Sequence, residues 1–200
     1  MQRRALLSVG AASVAGAAAG AGLAGPAAAA TSAANPAPPL PNIEVLDQDG
    51  QPHRFYDDLI RDRVVMVNFF FTSCGETCPL ITENLREVQD LFGDRMGRDV
   101  FMYSISLQPE LETPAILKDY AEQWDVRPGW RFLTGRPDEI EHLRRSMGFA
   151  SADPDYDLVK DNHTGILRYG NGRLNRWAAT AGLARPAWIV KAVSSIANFA

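Results

Sequence analysis

Apolar runs and helical repeats alternate along most of the chain and predict an α/β protein. Residues 64–71 (VVMVNFFF) are almost unbroken apolar, which is typical of a central strand covered on both faces. Apolar residues then recur at helical spacing over residues 81–92, and a second buried strand is predicted at 100–107. This order makes a β-α-β unit, which we expect to be right-handed with parallel strands.

Further elements are predicted on both sides of this unit. Residues 43–46 and 53–56 are predicted strands joined by a polar turn, which makes a leading hairpin. Thr113 and Pro114 are typical of a helix cap followed by the first helical position. The apolar face of that helix is predicted to carry Ile116, Tyr120 and Trp124.

The C-terminal part is predicted to continue the same α/β pattern. A strand is expected at 130–133, a helix at 138–147 and an irregular acidic segment at 153–161. Gly170-Asn171-Gly172 is a strong hairpin signal between two predicted strands, and a helix over 184–199 follows. Together these elements predict a thioredoxin-like fold, with a mixed central sheet flanked by helices and an N-terminal hairpin.

The first 30 residues are predicted to lie outside this fold. Arg3 and Arg4 precede an uncharged stretch of mostly Ala and Gly that ends in small residues, as in a cleaved signal peptide. The paired arginines resemble a twin-arginine signal, and the Sec route is an alternative. A retained membrane anchor is the other interpretation, because the stretch is long enough to span a bilayer. We therefore expect an exported or periplasmic protein, with a Pro-rich linker at 31–41 and the folded domain at 42–200.

Composition narrows the classes of function. The 200 residues are 46% hydrophobic and 22% charged with a formal net charge of −4, which is ordinary for a globular protein. No basic run is present, so nucleic-acid binding has little support. The chain has two cysteines, and a disulfide between residues so close in sequence would gain little loop entropy. Chemistry at the sulfurs explains the pair better than a structural crosslink.

Cys74 and Cys78 are the predicted functional site. They form a C-x-x-x-C-P motif between a predicted buried strand and the next helix, and ligands of open α/β sheets bind at such strand ends. Cys78 is predicted at the helix N-terminus, where unpaired N–H groups and the helix dipole favour a thiolate. Two converging thiolates suit a soft metal such as Cu(I), and they also suit a reversible disulfide.

A histidine is the candidate third ligand. A structural zinc site usually has four protein ligands. The chain has three histidines and no third cysteine, so a site with three ligands for a soft metal is the more natural expectation. His163 lies in a polar loop before a predicted strand, although a lone histidine is a weak signal by spacing alone. His53 and His142 are predicted to be surface residues.

Residues 67–79, 106–120 and 161–164 form three blocks that, in this order, resemble the Sco/SenC family of copper-binding proteins. Residues 67–79 are similar to the family phrase VxFxFTxCPDxCP, and residues 106–120 are similar to SxDPxxDTPxxLxxY. Residues 161–164 are similar to the family's histidine in a D-H-[ST] context. This chain departs from those patterns at Gly75, Glu76, Gln108, Glu112 and Asn162.

The resemblance implies one copper ion held by Cys74, Cys78 and His163, and a role in maturing the dinuclear copper centre of cytochrome c oxidase. The family is implicated there as a metallochaperone, as a thiol reductant, or as both, so the implied partner is the copper-bearing oxidase subunit or another copper or redox protein. Asp161 and Glu76 are candidates for groups that contact and orient the metal ligands. The main alternative is a metal-free periplasmic thiol–disulfide oxidoreductase with Cys74 and Cys78 as its redox-active pair, although its spacer differs from C-x-x-C. A copper or redox sensor is a third class.

Overall fold

The computed structural model describes residues 40–163 and 165–197, which carry seven β-strands and five α-helices. The strands are β1 (Glu44–Asp47), β2 (Pro52–Arg54), β3 (Val64–Phe70), β4 (Val100–Ser106), β5 (Trp130–Gly135), β6 (Ile166–Asn171) and β7 (Arg176–Ala181). The helices are α1 (Thr77–Phe92), α2 (Pro114–Gln123), α3 (Pro137–Ser146), α4 (Pro154–Leu158) and α5 (Pro186–Ala197). Single 3₁₀ turns lie at Gly93–Arg95 and Lys160–His163, and a π-helical turn spans Phe55–Ile60.

All seven strands join one mixed sheet in the order β2-β1-β5-β4-β3-β6-β7. The central strands β3, β4 and β5 are parallel, with Val64 opposite Val100 and Phe70 opposite Ser106. The outer strands pair antiparallel, and β1 with β2 forms the leading hairpin. The predicted mixed sheet, its β-α-β unit and its N-terminal hairpin are confirmed.

Helices cover both faces of the sheet. The crossovers through α1 and α2 step in the same direction, so right-handed connections put both helices on one face. Phe70 points to that face and packs on Tyr120 of α2, with ring centroids 5.4 Å apart. Phe69 points to the other face, as strand alternation requires, and packs on Phe149 beyond α3 at 4.8 Å. Every residue of β3 is buried between these layers, as its apolar run predicts.

Two segments adopt a helical turn that the sequence pattern did not indicate. The second hairpin strand ends at Arg54, and Phe55–Ile60 turns into a π-helix that buries three apolar side chains against the core. The acidic segment predicted to be irregular contains α4. Asp153 caps α4 by accepting the backbone N–H groups of Asp155 and Tyr156, which is a favoured use of aspartate at a helix start.

The last hairpin turns later than predicted. Gly170 and Asn171 belong to β6, and the turn begins at Gly172. A glycine is required at position 170 because a Cβ there would lie 2.3 Å from the Trp177 ring. Asn175 supplies the positive φ of 48° within the turn itself. The Gly-Asn-Gly signal therefore marks a close ring contact and the start of the turn.

Helix α2 begins as predicted but presents a slightly different face to the core. The Thr113 side chain accepts the Ile116 backbone N–H, at 3.4 Å, and Pro114 takes the first helical position. Leu117 and Tyr120 are buried, whereas Ile116 is exposed. The prediction that Ile116 faces the core was therefore wrong, because its neighbour Leu117 occupies that buried position.

The predicted signal peptide over residues 1–30 lies outside the described residues, as does the predicted linker up to residue 39. Within the described ranges, no helix combines the length and apolar character needed to cross a membrane.

Candidate functional site

The two cysteines lie at the carboxyl end of β3, where the chain turns into α1. The Cys74 backbone N–H donates to the Phe71 carbonyl, at 3.2 Å, and closes the turn after the strand. Helix α1 begins at Thr77, so Cys78 stands in its first turn, as predicted. Cys74 is 5% exposed and Cys78 is 2% exposed. The dithiol therefore lies just below the surface at the edge where α/β sheets bind ligands.

The Cys74 sulfur faces the start of α1. The Cys78 backbone N–H donates to Cys74 Sγ at 3.3 Å. An N–H of the first helical turn has no carbonyl partner within its own helix, and the helix dipole adds partial positive charge there. The three-residue spacer thus brings Cys74 back over the helix end, where its sulfur accepts a helix N–H.

A buried carboxylate holds the loop ahead of Cys74. Glu112 is 2% exposed, and its two oxygens accept the Thr72 backbone N–H and the Ser106 hydroxyl. The Ser106 hydroxyl oxygen also accepts the Gln108 backbone N–H, at 3.0 Å. These bonds tie the cysteine loop to the end of β4. Sequence analysis identified Glu112 only as a departure from a family aspartate, so this anchoring contact was missed.

We expect Glu112→Leu to lower the free energy of unfolding by about 2–4 kcal/mol, because one buried donor and one partly buried donor lose their acceptor. Urea unfolding followed by circular dichroism measures the change. Glu110→Leu is the matched control on the same loop: Glu110 makes an exposed pair with Lys160, so its loss should cost less than about 1 kcal/mol. Equal effects of the two substitutions would show that Glu112 does not anchor the loop.

Tyr120 of α2 is a buried neighbour of the two sulfurs. Its hydroxyl lies 3.0 Å from Thr82 Oγ1 of α1. Burial raises the pKa of Tyr120 to about 12, and negative charge at Cys78 and Cys74 adds to the rise because a thiolate disfavours a nearby phenolate. Tyr120 therefore stays neutral at ordinary pH, and its hydroxyl lies against α1 one turn after Cys78. Sequence analysis had identified it as an apolar-face residue and as the last position of the second family block.

The backbone of His163 lies at the same edge of the sheet as the cysteines. His163 ends the 3₁₀ turn that precedes β6, and β6 is antiparallel to β3, so the amino end of β6 neighbours the carboxyl end of β3. Lys160 in that turn donates to Glu110 Oε1, at 3.1 Å, and links the turn to the loop after β4. The side chains of His163 and Asp161 lie outside the described part of the structure.

The structure describes the side chains of three further candidates, namely Glu76, His53 and His142. Among the side chains that the structure describes, no group of three His, Cys, Asp or Glu residues gathers around one point. Glu76 is exposed, and its side chain does not cap α1. His142 is exposed, as predicted. His53 is half-buried, with Nε2 2.8 Å from Asp47 Oδ2, so its prediction as a plain surface residue was wrong.

Fold and site together define a class of α/β protein with a buried pair of cysteines at the junction of a central strand and the next helix. Residues 35–187 match the family model of SCO1/SenC, and the chain belongs to that family. An SCO2-like protein of Rickettsia felis is 27% identical over 133 residues, which are 63% of this chain and 62% of that protein. The chain thus spans less than two thirds of the length of the curated relatives it matches first.

Solved structures of Sco proteins share the fold. Yeast Sco1 with copper bound superposes with a TM-score of 0.62 at 19% identity, covering 82% of this chain and 96% of that one. BsSco is described as a member of the Sco family of cytochrome c oxidase assembly proteins with a disulfide switch. It gives a TM-score of 0.63 at 24% identity, covering 79% of this chain and 92% of that one. The predicted thioredoxin-like arrangement is confirmed.

Proposed function

We propose that this chain carries copper outside the cytoplasm and takes part in assembling the dinuclear copper centre of cytochrome c oxidase. The observation that carries the proposal is the buried pair Cys74 and Cys78, with one sulfur accepting a hydrogen bond from the start of α1. Family membership supports it, because yeast Sco1 has been solved with copper bound and BsSco is named as an oxidase assembly protein.

The donor set fits copper as a cargo. Two thiolates satisfy Cu(I), which prefers soft ligands and low coordination, and an imidazole completes a site that can also hold Cu(II). We propose Cys74, Cys78 and His163 as the ligands. Leu80 lies two residues after Cys78 in α1 and is 60% exposed, so the start of this helix offers an apolar side chain to a client protein.

A second function is favoured by the contact between the Cys78 backbone N–H and Cys74 Sγ. That contact stabilises a thiolate, and a thiolate is the species that attacks a disulfide. In this alternative the two thiols reduce a disulfide between the client's cysteines. Two electrons and two protons pass to the client, and a Cys74–Cys78 disulfide forms. No metal takes part in the exchange itself.

The proposed export depends on residues 1–30. Their paired arginines, uncharged stretch and small-residue end support cleavage near Ala30 and a soluble periplasmic product. A retained segment would instead leave the domain tethered to the membrane. Either arrangement places the dithiol on the side of the membrane where exported proteins act.

A strain that lacks this protein tests the proposal. We expect oxidase activity to fall strongly, to return with the wild-type protein, and to stay low with a Cys74→Ala/Cys78→Ala variant. Recovery with added copper would support the cargo function, whereas recovery with an added dithiol reductant would support the reductant function. Normal oxidase activity in the strain without the protein would overturn both.

A further inference from the structure

A buried arginine lies beneath the segment that leads to His163. Arg144 of α3 is 4% exposed, and its guanidinium donates to both oxygens of Asp157 in α4, at 3.0 and 2.7 Å. It also donates to both oxygens of Glu141, at 2.7 and 2.8 Å, and to the Phe149 carbonyl, at 2.8 Å. Paired bonds of this kind fix both distance and angle. They fasten α4 to α3.

The ion cluster holds its charge over a wide pH range. The hydrogen bonds from Arg144, with a further one from the Ser151 backbone N–H at 2.7 Å, hold the pKa of Asp157 well below its usual range. Arg145 adds a bond to the same carboxylate at 2.8 Å. Removing one partner would leave a poorly compensated buried charge, which is strongly unfavourable. The position of α4 relative to α3 is therefore closely specified.

Asn162, the residue before His163, is attached to this anchored helix. Its Nδ2 donates to the Tyr156 carbonyl, at 2.8 Å, directly beside Asp157. Its backbone N–H donates to the Val159 carbonyl, at 3.1 Å. An aspartate, which the Sco/SenC pattern has at this position, could not donate the first bond because a carboxylate has no N–H group. Asn162 therefore makes a contact that the aspartate of the pattern could not make.

We propose that Arg144 and Asn162 are positioning residues that hold the His163 backbone at the sheet edge that carries the cysteines, so that its imidazole can serve Cu(II). The contacts run from Arg144 through Asp157 in α4 to Asn162, and His163 follows in the chain. This inference rests on the proposed function, since it takes His163 as a copper ligand. Two sulfurs on a separate segment are enough to bind Cu(I). Arg144 and Asn162 therefore act on Cu(II) binding and leave Cu(I) binding nearly unchanged.

Copper titrations of the Asn162→Ala protein test this inference. We expect Cu(II) affinity to fall about 10-fold or more, as for other groups that orient a ligand, and Cu(I) affinity to change less than about 3-fold. Asn171→Ala is the matched control, because Asn171 Nδ2 also donates to a backbone carbonyl, that of Ile196 at 3.1 Å, at the opposite end of β6. Arg144→Lys keeps the charge, loses the paired geometry and should also weaken Cu(II) selectively. If it fails to fold, the Asn162 comparison still decides.

The double variant with His163→Ala separates this inference from the proposed ligand set. If Asn162 acts through His163, Asn162→Ala has no further effect on Cu(II) affinity once His163 is gone. An unchanged Cu(II) affinity in Asn162→Ala, or an equal loss in both backgrounds, would overturn the positioning role. An unchanged Cu(II) affinity in His163→Ala would instead overturn the ligand set itself.

Discussion

Replacing Cys74 or Cys78 with alanine is expected to abolish tight copper binding by the reduced protein. A soft Cu(I) ion needs both thiolates, and one sulfur alone cannot complete even two-coordinate binding. Loss of a group that hydrogen-bonds to a metal ligand already costs about 10–100-fold in metal affinity, so loss of a ligand itself should cost more. Competition with a Cu(I) chelator measures the affinity, and the sulfur-to-copper charge-transfer band reports the Cu(II) form.

Ser73→Ala is the control for the cysteine variants. Ser73 is exposed and adjoins Cys74 in the same loop, so it tests whether any change there disturbs the site. We expect this variant to bind one equivalent of copper and keep the full band. A full charge-transfer band in both cysteine variants would show that the sulfurs are not the ligands.

Replacing His163 with alanine is expected to separate the two oxidation states of copper. Cu(II) affinity should fall by at least about 10–100-fold, because thiolates alone favour Cu(I) and tend to reduce Cu(II). Cu(I) affinity and the rate of disulfide reduction should change far less, since both depend on the two sulfurs. His142→Ala is the matched control, because His142 is exposed on α3.

The His163→Ala protein also distinguishes the two proposed functions in the cell. A strain that carries it should assemble little active oxidase if Cu(II) binding matters. Normal assembly despite lost Cu(II) binding would leave thiol reduction as the function of the dithiol. Equal Cu(II) affinity in the His163 and His142 variants would contradict the ligand assignment.

The sheet and its order of elements could be predicted because local patterns carry them. Short local patterns indicate three of these elements: the apolar run indicates β3, the Thr113 cap indicates the start of α2, and the Gly-rich segment indicates the turn before β7. The π-helical turn at Phe55–Ile60 and helix α4 could not be predicted in this way. The π-helical turn forms because its apolar side chains are buried against the rest of the core. Helix α4 depends on a cap and on an ion pair with the distant helix α3.

The cysteine positions could be predicted, whereas the residues that support them could not. The bond from the Thr72 backbone N–H to Glu112 joins positions 40 residues apart, and no local pattern reports it. The sequence pattern does indicate that Arg144 is buried, because it lies four residues after Ile140 and next to Leu143, which are both buried. A charged residue on the inward face of an amphipathic helix indicates a buried ion pair.

X-ray absorption at the copper edge of the Cu(II)-loaded protein measures the proposed ligand set directly. We expect two sulfur neighbours, from Cys74 and Cys78, and at least one imidazole nitrogen that disappears in His163→Ala. A copper ion surrounded by nitrogen and oxygen alone, with no sulfur neighbour, would contradict the proposal that this dithiol carries copper.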